Sequence, residues 1–446
     1  MSEQNKFFTF LENVVAPVAG KVGSQRHICA IRDAFVTAIP FIIVGSFLLV
    51  IAFPPFGEEA TNVWSTFARE YREQLLHPFN FTMGTMTLWI VTGLGYNLAK
   101  SYDKTIKSPL LAGVLSLSTF LMVSAPITEG KLEMSFMGGT GIFTALLIGT
   151  FVPELMHFLK KKDIGFKLPP QVPEKIRESF DLFIPITIII VTIYPLNLFI
   201  EAQTGFIIPQ AIMEIFKPLV SASDTLPALM LVCLIAQVLW WAGVHGSLIT
   251  NGIIAPFVLA NLTMNQEALA AGVEGTQLPT IFSQPMLDVF MMAGGSGSTF
   301  VLVLLFLRSR AAHLKAIGKM SLIPGIFNIN EPVSFGTPIV MNPTYFIPWV
   351  VVPQLCGIFT WCMFKFELMH RIIAIPPWTA PTPVSAAWAT NWSVMAIVTV
   401  LVNYIIALVI WYPFMKMHEK QLLEEEAKMA AVQQEQAQAN GTPVTA

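Results

Sequence analysis

Long apolar runs, separated by short polar stretches, dominate the chain. A helix needs about 20 mostly apolar residues to cross the hydrocarbon core of a bilayer. Nine runs of that length lie at roughly 34–53, 79–99, 108–126, 137–158, 179–200, 224–244, 286–307, 344–364 and 392–413. A weaker run, Leu248 to Met264, is interrupted by Asn251, Gly252 and Pro256. Residues 321–341 are apolar too, but hold Pro324, Asn328, Asn330, Glu331, Pro332 and Pro338. A membrane β-barrel would instead show short alternating strands between turns. The pattern predicts an all-α polytopic membrane protein.

The asymmetry of Lys and Arg sets orientation. Segments 1–33, 100–107, 160–178, 308–319 and 414–446 hold 20 of the 26 Lys and Arg residues. All five lie in the cytoplasm only if the chain crosses once between about 245 and 285. The broken run 248–264 must then cross, which predicts about ten transmembrane helices with both termini cytoplasmic.

Composition narrows the class further. Of 446 residues, 54% are hydrophobic and 12% charged, and the mean hydropathy is +0.63. An average soluble domain carries about 25% charged residues. A soluble enzyme and a disordered chain are excluded. With 26 basic against 28 acidic residues there is no basic excess for nucleic acid. Cys29, Cys233, Cys356 and Cys362 are too scattered for a metal site and read as inert thiols, so no metal and no cofactor is expected. Lys6, Lys21, Arg26, His27 and Arg32 precede the first apolar run, with no signal-peptide pattern.

Five regions follow. Residues 1–33 form a cytoplasmic segment, with Phe7, Phe8, Leu11, Val14, Val15 and Val18 at the spacing of an interfacial helix. Residues 34–200 hold ordinary spans with small residues at Gly138, Gly139, Gly141, Ala145 and Gly149, suited either to internal packing or to a dimer face. Residues 201–223 form an amphipathic connector. Residues 224–413 carry glycine, proline and polar residues inside apolar segments, the mark of broken helices around a transport site. Residues 414–446 form a cytoplasmic tail, helical and then disordered from about Asn440.

Four constellations in the second half carry candidate chemistry. His245, in Gly243-Val244-His245-Gly246, is either a hydrogen-bonding ligand group or a structural helix-end histidine. Asn251 and Asn261 follow and are candidates for a polar cavity. Glu331, in Asn328-Ile329-Asn330-Glu331-Pro332, is a carboxylate in an apolar stretch, a functional-site candidate by default. It can accept a sugar hydroxyl, take its proton or bind a cation; the competing reading pairs it with Arg308 or a helix N-terminus. Asp288 is a weaker candidate, read as structural. Gly294-Gly295-Ser296-Gly297-Ser298-Thr299 is a polar kink within a span, and no Walker loop. Pro376-Pro377-Trp378-Thr379-Ala380-Pro381-Thr382-Pro383 cannot be a regular helix, and Trp378 either stacks on a ligand or anchors the membrane interface. Together these groups suit a neutral polyhydroxylated ligand.

With these residues in hand, the chain resembles enzyme IIC, the membrane subunit of the bacterial phosphoenolpyruvate-dependent sugar phosphotransferase system, in its lactose/cellobiose/diacetylchitobiose branch. The likeness covers about residues 5–415. It rests on Gly-Val-His-Gly at 243–246, Gly-Gly-Ser-Gly at 294–297, Ile-Asn-Glu-Pro at 329–332, Gly-Thr-Pro-Ile-Val-Met-Asn-Pro at 336–343 and Pro-Trp-Thr-Ala-Pro-Thr at 377–382. The resemblance implies ten spans, a dimerising N-terminal half, and a C-terminal half with two re-entrant hairpins around a disaccharide that it carries inward like an elevator. It places His245 in the first hairpin and Glu331 at the second, with Asn330 and Trp378 lining the same pocket. Gly295, Ser296 and Asn251 complete the set of expected sugar contacts. Glu331 would lie by the hydroxyl that receives the phosphoryl group, as the catalytic residue.

The resemblance also implies a bacterial cell-membrane homodimer working with a soluble phospho-enzyme IIB, and upstream with IIA, HPr and enzyme I. This chain has no soluble domain and no phosphate loop about Cys29, so it reads as a non-autonomous subunit of a phosphocysteine sugar phosphotransferase. The alternatives are a proton-coupled disaccharide symporter, with Glu331 and His245 as a relay, and a sugar-sensing receptor.

Overall fold

The computed structural model describes residues 13–439, except 15, 55, 57–59, 103–104, 166–168, 170, 174–175, 178–179, 181 and 338, with side chains as far as 429. Phe7, Phe8, Leu11 and Val15 of the expected interfacial helix, Pro338, and the tail from Asn440 lie outside the described residues.

The first half consists of α1 (Ala16–Gly23), α2 (Arg26–Ala52), α3 (Val63–Thr82), α4 (Met86–Lys100), α5 (Pro109–Ser124), a two-stranded hairpin of β1 (Ile127–Thr128) and β2 (Lys131–Leu132), α6 (Ile142–Lys161), α7 (Phe183–Thr204) and α8 (Ile208–Ser223). The second half holds α9 (Leu226–Trp241), α10 (Gly246–Ala270), a π-turn (Met286–Met291), a 3-10 turn (Ser296–Ser298), α11 (Phe300–Leu307), α12 (Ala312–Ile326), α13 (Glu331–Gly336), α14 (Pro343–Lys365), α15 (Thr382–Ala389) and α16 (Val394–Ala439).

The chain is helical, as its apolar runs predict. Among the described residues, six helices are long and apolar enough to cross a membrane. Two bent pairs, α8 with α9 (75°) and 286–298 with α11 (46°), bring the number to as many as eight. The run at 79–99 is not one helix: α3 ends at Thr82, whose hydroxyl donates to Pro78 O and Phe79 O, and α4 begins at Met86. The run at 248–264, by contrast, is unbroken. Helix α10 spans 25 residues with Pro256 inside it. Gly252 lets α10 approach α2, since a Cβ there would sit 3.3 Å from Ile28 Cγ2.

The small-residue stripe is filled from within the chain. A Cβ on Gly139 would meet Thr263 at 2.4 Å, and one on Gly149 would meet Leu94 at 2.9 Å. The connector forms α8, whose Phe216 stacks on Phe143 of α6 at 4.4 Å.

Two apolar clusters organise the molecule. The larger joins α2–α6 to one face of α10 and to Phe282, Phe290 and Phe364. The smaller gathers Trp240, Trp241, Phe306, Tyr345, Trp349 and Trp411 from α9, α11, α14 and α16. Extended segments near 280 and 372 run between helices, and their backbone groups need partners. Asn265 supplies them: its Nδ2 donates to Thr280 O and Ile372 O, both at 2.9 Å, and its Oδ1 accepts from Thr280 N and Oγ1. Asn261 is fully buried and donates to Phe282 O at 2.8 Å. It is a structural bracket and does not face a polar cavity, contrary to the sequence expectation.

Candidate functional site

Three of the four constellations converge at the kink after the π-turn. Gly294, Gly295 and Gly297 have φ of 81°, 99° and 73°, a region L side chains rarely adopt. A Cβ on Gly295 would lie 2.6 Å from Asn330 Cγ, and one on Gly297 would lie 2.5 Å from Trp349 Cε3. These glycines let Asn330 and the indole of Trp349 press directly on the backbone. Asn330 is 6% exposed. Its Nδ2 donates to Ser296 O at 2.8 Å and to Thr299 Oγ1 at 3.1 Å. The amide protons of this expected sugar ligand are therefore engaged in holding the kink.

Asn328 lies at φ 62°, which asparagine tolerates better than most residues. Its Oδ1 accepts from Gly294 N at 3.1 Å and from Thr382 Oγ1 at 2.7 Å. Its Nδ2 donates to Trp378 O at 3.0 Å and to Ala380 O at 2.8 Å. One amide thus ties the glycine kink to the proline-rich segment. Sequence reading quoted Asn328 in its motif but left it out of the candidate site. The available signal was an asparagine placed two residues ahead of Asn-Glu-Pro.

Glu331 opens the short helix α13 and is exposed. Among the described residues neither Glu331 nor Arg308 has a side-chain hydrogen bond or ion pair, so these two do not pair with each other. Trp378 is 67% exposed, although its carbonyl is held by Asn328. His245 is exposed and caps α10, its Nδ1 accepting from Leu248 N at 3.4 Å. The structural and ligand readings of His245 are compatible: in that neutral tautomer Nε2 carries the proton and can donate.

Trp240 links His245 to α13. Its ring lies 5.0 Å from the His245 ring, 6.1 Å from Phe335 and 6.1 Å from Trp349. A Cβ on Gly243 would lie 3.6 Å from Val340 Cγ1, so the turn before His245 runs along the segment that follows α13. Gly295, Ser296, Asn330, Glu331 and Trp378 are thus joined directly by bonds or chain neighbourhood, and His245 through Trp240. Asn251, half-exposed in α10, is tied to none of them. Asp288 accepts from Gln284 Nε2 at 2.8 Å, in keeping with a structural role. No group of three or more His, Cys, Asp or Glu among the described residues is arranged to hold a metal.

An exposed indole, an imidazole N–H and an unpaired carboxylate on a rigid frame form an arrangement that can stack on a sugar face and bond its hydroxyls. Comparison with known proteins decides the family. The family described as "Phosphotransferase system, EIIC" matches residues 32–353. The chain belongs to the EIIC family. It is similar to the lichenan permease IIC component of Bacillus subtilis (strain 168), 34% identical over 96% of this chain and 97% of that one. It is also similar to the cellobiose-specific EIIC component of Geobacillus stearothermophilus, 32% identical over 95% and 96% of the two chains. Among solved structures it is similar to the transporter ChbC, the IIC component of the N,N'-diacetylchitobiose-specific phosphotransferase system. That likeness has a TM-score of 0.86 and 34% identity, covering 94% of this chain and 99% of the other. This EIIC protein is therefore a membrane sugar permease component.

Proposed function

We propose that this EIIC chain takes up a disaccharide of the cellobiose/diacetylchitobiose type from outside the bacterial cell and presents it to phospho-IIB. The single observation behind the site is Glu331: an exposed carboxylate without a partner among the described residues, set on a frame that also carries Trp378 and, through Trp240, His245. Trp378 stacks on the sugar, and His245 Nε2 and Glu331 bond its hydroxyls, with the backbone at Gly295 and Ser296 alongside. Asn330 serves chiefly by holding the kink, and Asn251 is an outlying contact.

In the chemical step the acceptor hydroxyl attacks the phosphorus of the IIB phosphocysteine. The new bond is O–P, the S–P bond breaks, and the thiolate leaves with the electron pair. The hydroxyl proton passes to a Glu331 carboxylate oxygen. Such general-base help is typically worth about 10²–10⁴-fold. The sugar phosphate is an anion and cannot return.

We read the movement as elevator-like. Residues 34–200 form the scaffold and homodimer half, residues 201–223 connect, and residues 224–413 are the moving sugar-binding half with re-entrant hairpins. Both termini, 1–33 and 414–446, are cytoplasmic. The short apolar helix α5, added to at most eight candidate spans, brings the number to nine, and the Lys and Arg asymmetry asks for one more to reach about ten. The similarity to sugar-specific IIC components favours this reading over a proton-coupled symporter.

The test is Glu331→Gln in membranes supplied with phospho-IIB. Phosphorylation should fall by about 10²-fold or more, while exchange of unphosphorylated sugar is retained to within a few-fold. Equal loss of both would refute the chemical role. Uptake driven by a pH gradient in vesicles lacking IIB would refute the phosphotransferase reading itself.

A further inference from the structure

Asn328 makes no expected contact with sugar, yet it has the most completely engaged side chain near the site. A primary amide offers two donor hydrogens and two acceptor lone pairs. All four are used, on partners 34 to 54 residues away in the chain: Gly294 N, Thr382 Oγ1, Trp378 O and Ala380 O. The two partners on the donor side belong to one irregular segment, which has three prolines and no helix to hold it until α15 begins at Thr382. Trp378 has little else to fix it, with two thirds of its surface open. The amide orientation is unambiguous, because reversing it would turn the oxygen toward two carbonyls and the nitrogen toward an N–H.

We infer that Asn328 is a positioning residue: it sets the sugar affinity of the site by holding the backbone of Trp378 and Ala380 against the glycine kink, so that the exposed indole waits where a sugar ring will stack. This rests on the disaccharide-binding reading above. Pre-ordering a flexible element before binding removes an entropy cost that the ligand would otherwise meet. Thr382 shares the task from the other end of the segment, and its own side chain is buried at 2% exposure.

The discriminating variant is Asn328→Asp. Aspartate also tolerates the left-handed backbone. It keeps acceptors for Gly294 N and Thr382 Oγ1 but loses both donors to the Trp378 and Ala380 carbonyls. Calorimetric titration of cellobiose and diacetylchitobiose into purified full-length protein in detergent should show binding weakened at least about tenfold, the scale of an unsatisfied polar contact. In a Trp378→Ala background the same change should cost less than about twofold, because contacting pairs are non-additive. Thr382→Val removes the bond to Asn328, along with the hydroxyl's contact to Tyr404, and should show the same dependence on Trp378 with a smaller loss. It carries the test if Asn328→Asp does not fold.

Equal fold-losses with and without the Trp378 indole would overturn the inference, since a general weakening of the fold acts in both backgrounds. No loss in either variant would overturn it as well. The parent protein is titrated first. If it binds neither disaccharide, the functional reading fails and the inference falls with it; if the parent binds and the cycle is additive, only the inference fails.

Discussion

The kink at Gly297 offers the sharpest test of how the site is supported. Gly297 has φ +73° and is buried. A Cβ there would lie 2.5 Å from Trp349 Cε3 and 2.9 Å from Cδ2. The indole cannot retreat freely: its Nε1 donates to Gln237 O at 3.0 Å, and its side chain is 0% exposed. Nor is the backbone free to move, because Gly297 O accepts from Trp411 Nε1 at 3.1 Å. Gly297→Ala therefore meets two costs. Holding an L residue in the left-handed region costs about 1–2 kcal/mol. Overpacking a filled core costs about 1–3 kcal/mol. Gly205 supplies the control, with the same φ of +73° and nothing within 4 Å of its would-be Cβ, so Gly205→Ala carries the backbone cost alone. Unfolding followed by intrinsic fluorescence in detergent should place Gly297→Ala below Gly205→Ala by the overpacking difference, on the order of 2 °C per kcal/mol. Disaccharide affinity should fall in Gly297→Ala and be unchanged in Gly205→Ala. Equal shifts in the two variants would show that the indole yields at no cost, and the claim that Trp349 braces the kink would be wrong.

Asn265→Leu leaves the Thr280 amide and the Thr280 and Ile372 carbonyls without their side-chain partner. At about 1–3 kcal/mol for each buried orphan, it should cost at least about 3 kcal/mol, read as a lower unfolding temperature; a shift under 2 °C would contradict the bracket role. His370, in the connection after α14, has its pKa pushed below the ordinary value by burial, with Glu274 opposing. Protonation therefore favours the unfolded chain, so this group's contribution to stability is full above about pH 6.5 and declines as pH falls toward the depressed folded value. His370→Gln should flatten the loss of unfolding temperature between pH 6.5 and 5, and a variant with the parent's slope would contradict this.

Sequence alone resolved what depends on length and composition, and missed what depends on partners far along the chain. Most apolar runs became helices because twenty apolar residues satisfy their own backbone in lipid without help. The run at 248–264 looked broken because Asn251, Gly252 and Pro256 are unfavourable in an isolated span. In the fold, Gly252 is a close contact with Ile28, while Asn261 and Asn265 farther along the helix bracket extended chain near 280 and 372. The run at 79–99 hid a helix end because Met83 is as apolar as its neighbours, although the backbone turns there. Within Asn328-Ile329-Asn330-Glu331, periodicity could not separate a ligand group from a bracket. The difference lies in which carbonyls approach, and those sit some fifty residues onward. The family resemblance puts the three motifs around one pocket; the bonds joining them were not legible.

The division of labour between exposed and buried groups has a physical reason. On the sugar-binding reading, Glu331, His245 and Trp378 are exposed, so a ligand can reach each of them. The same carboxylate placed against hydrocarbon would be expensive. The bracing groups face the opposite demand. Asn330, Thr382, Trp349 and Gly297 are buried, and each forms bonds or contacts that water cannot replace without opening the kink. A carrier that moves as a body must keep its ligand groups in register during the movement. On the elevator reading, register is held by buried bonds among segments within residues 224–413, which the movement need not break. The same reading has contacts yield elsewhere, among them those where α10 meets α2: Gly252 against Ile28, and Gln266 Nε2 at 3.4 Å from Ser46 Oγ, long for a hydrogen bond. On the elevator reading this small-residue, weakly bonded seam is where sliding is cheapest, and the glycine kink is where it is most costly.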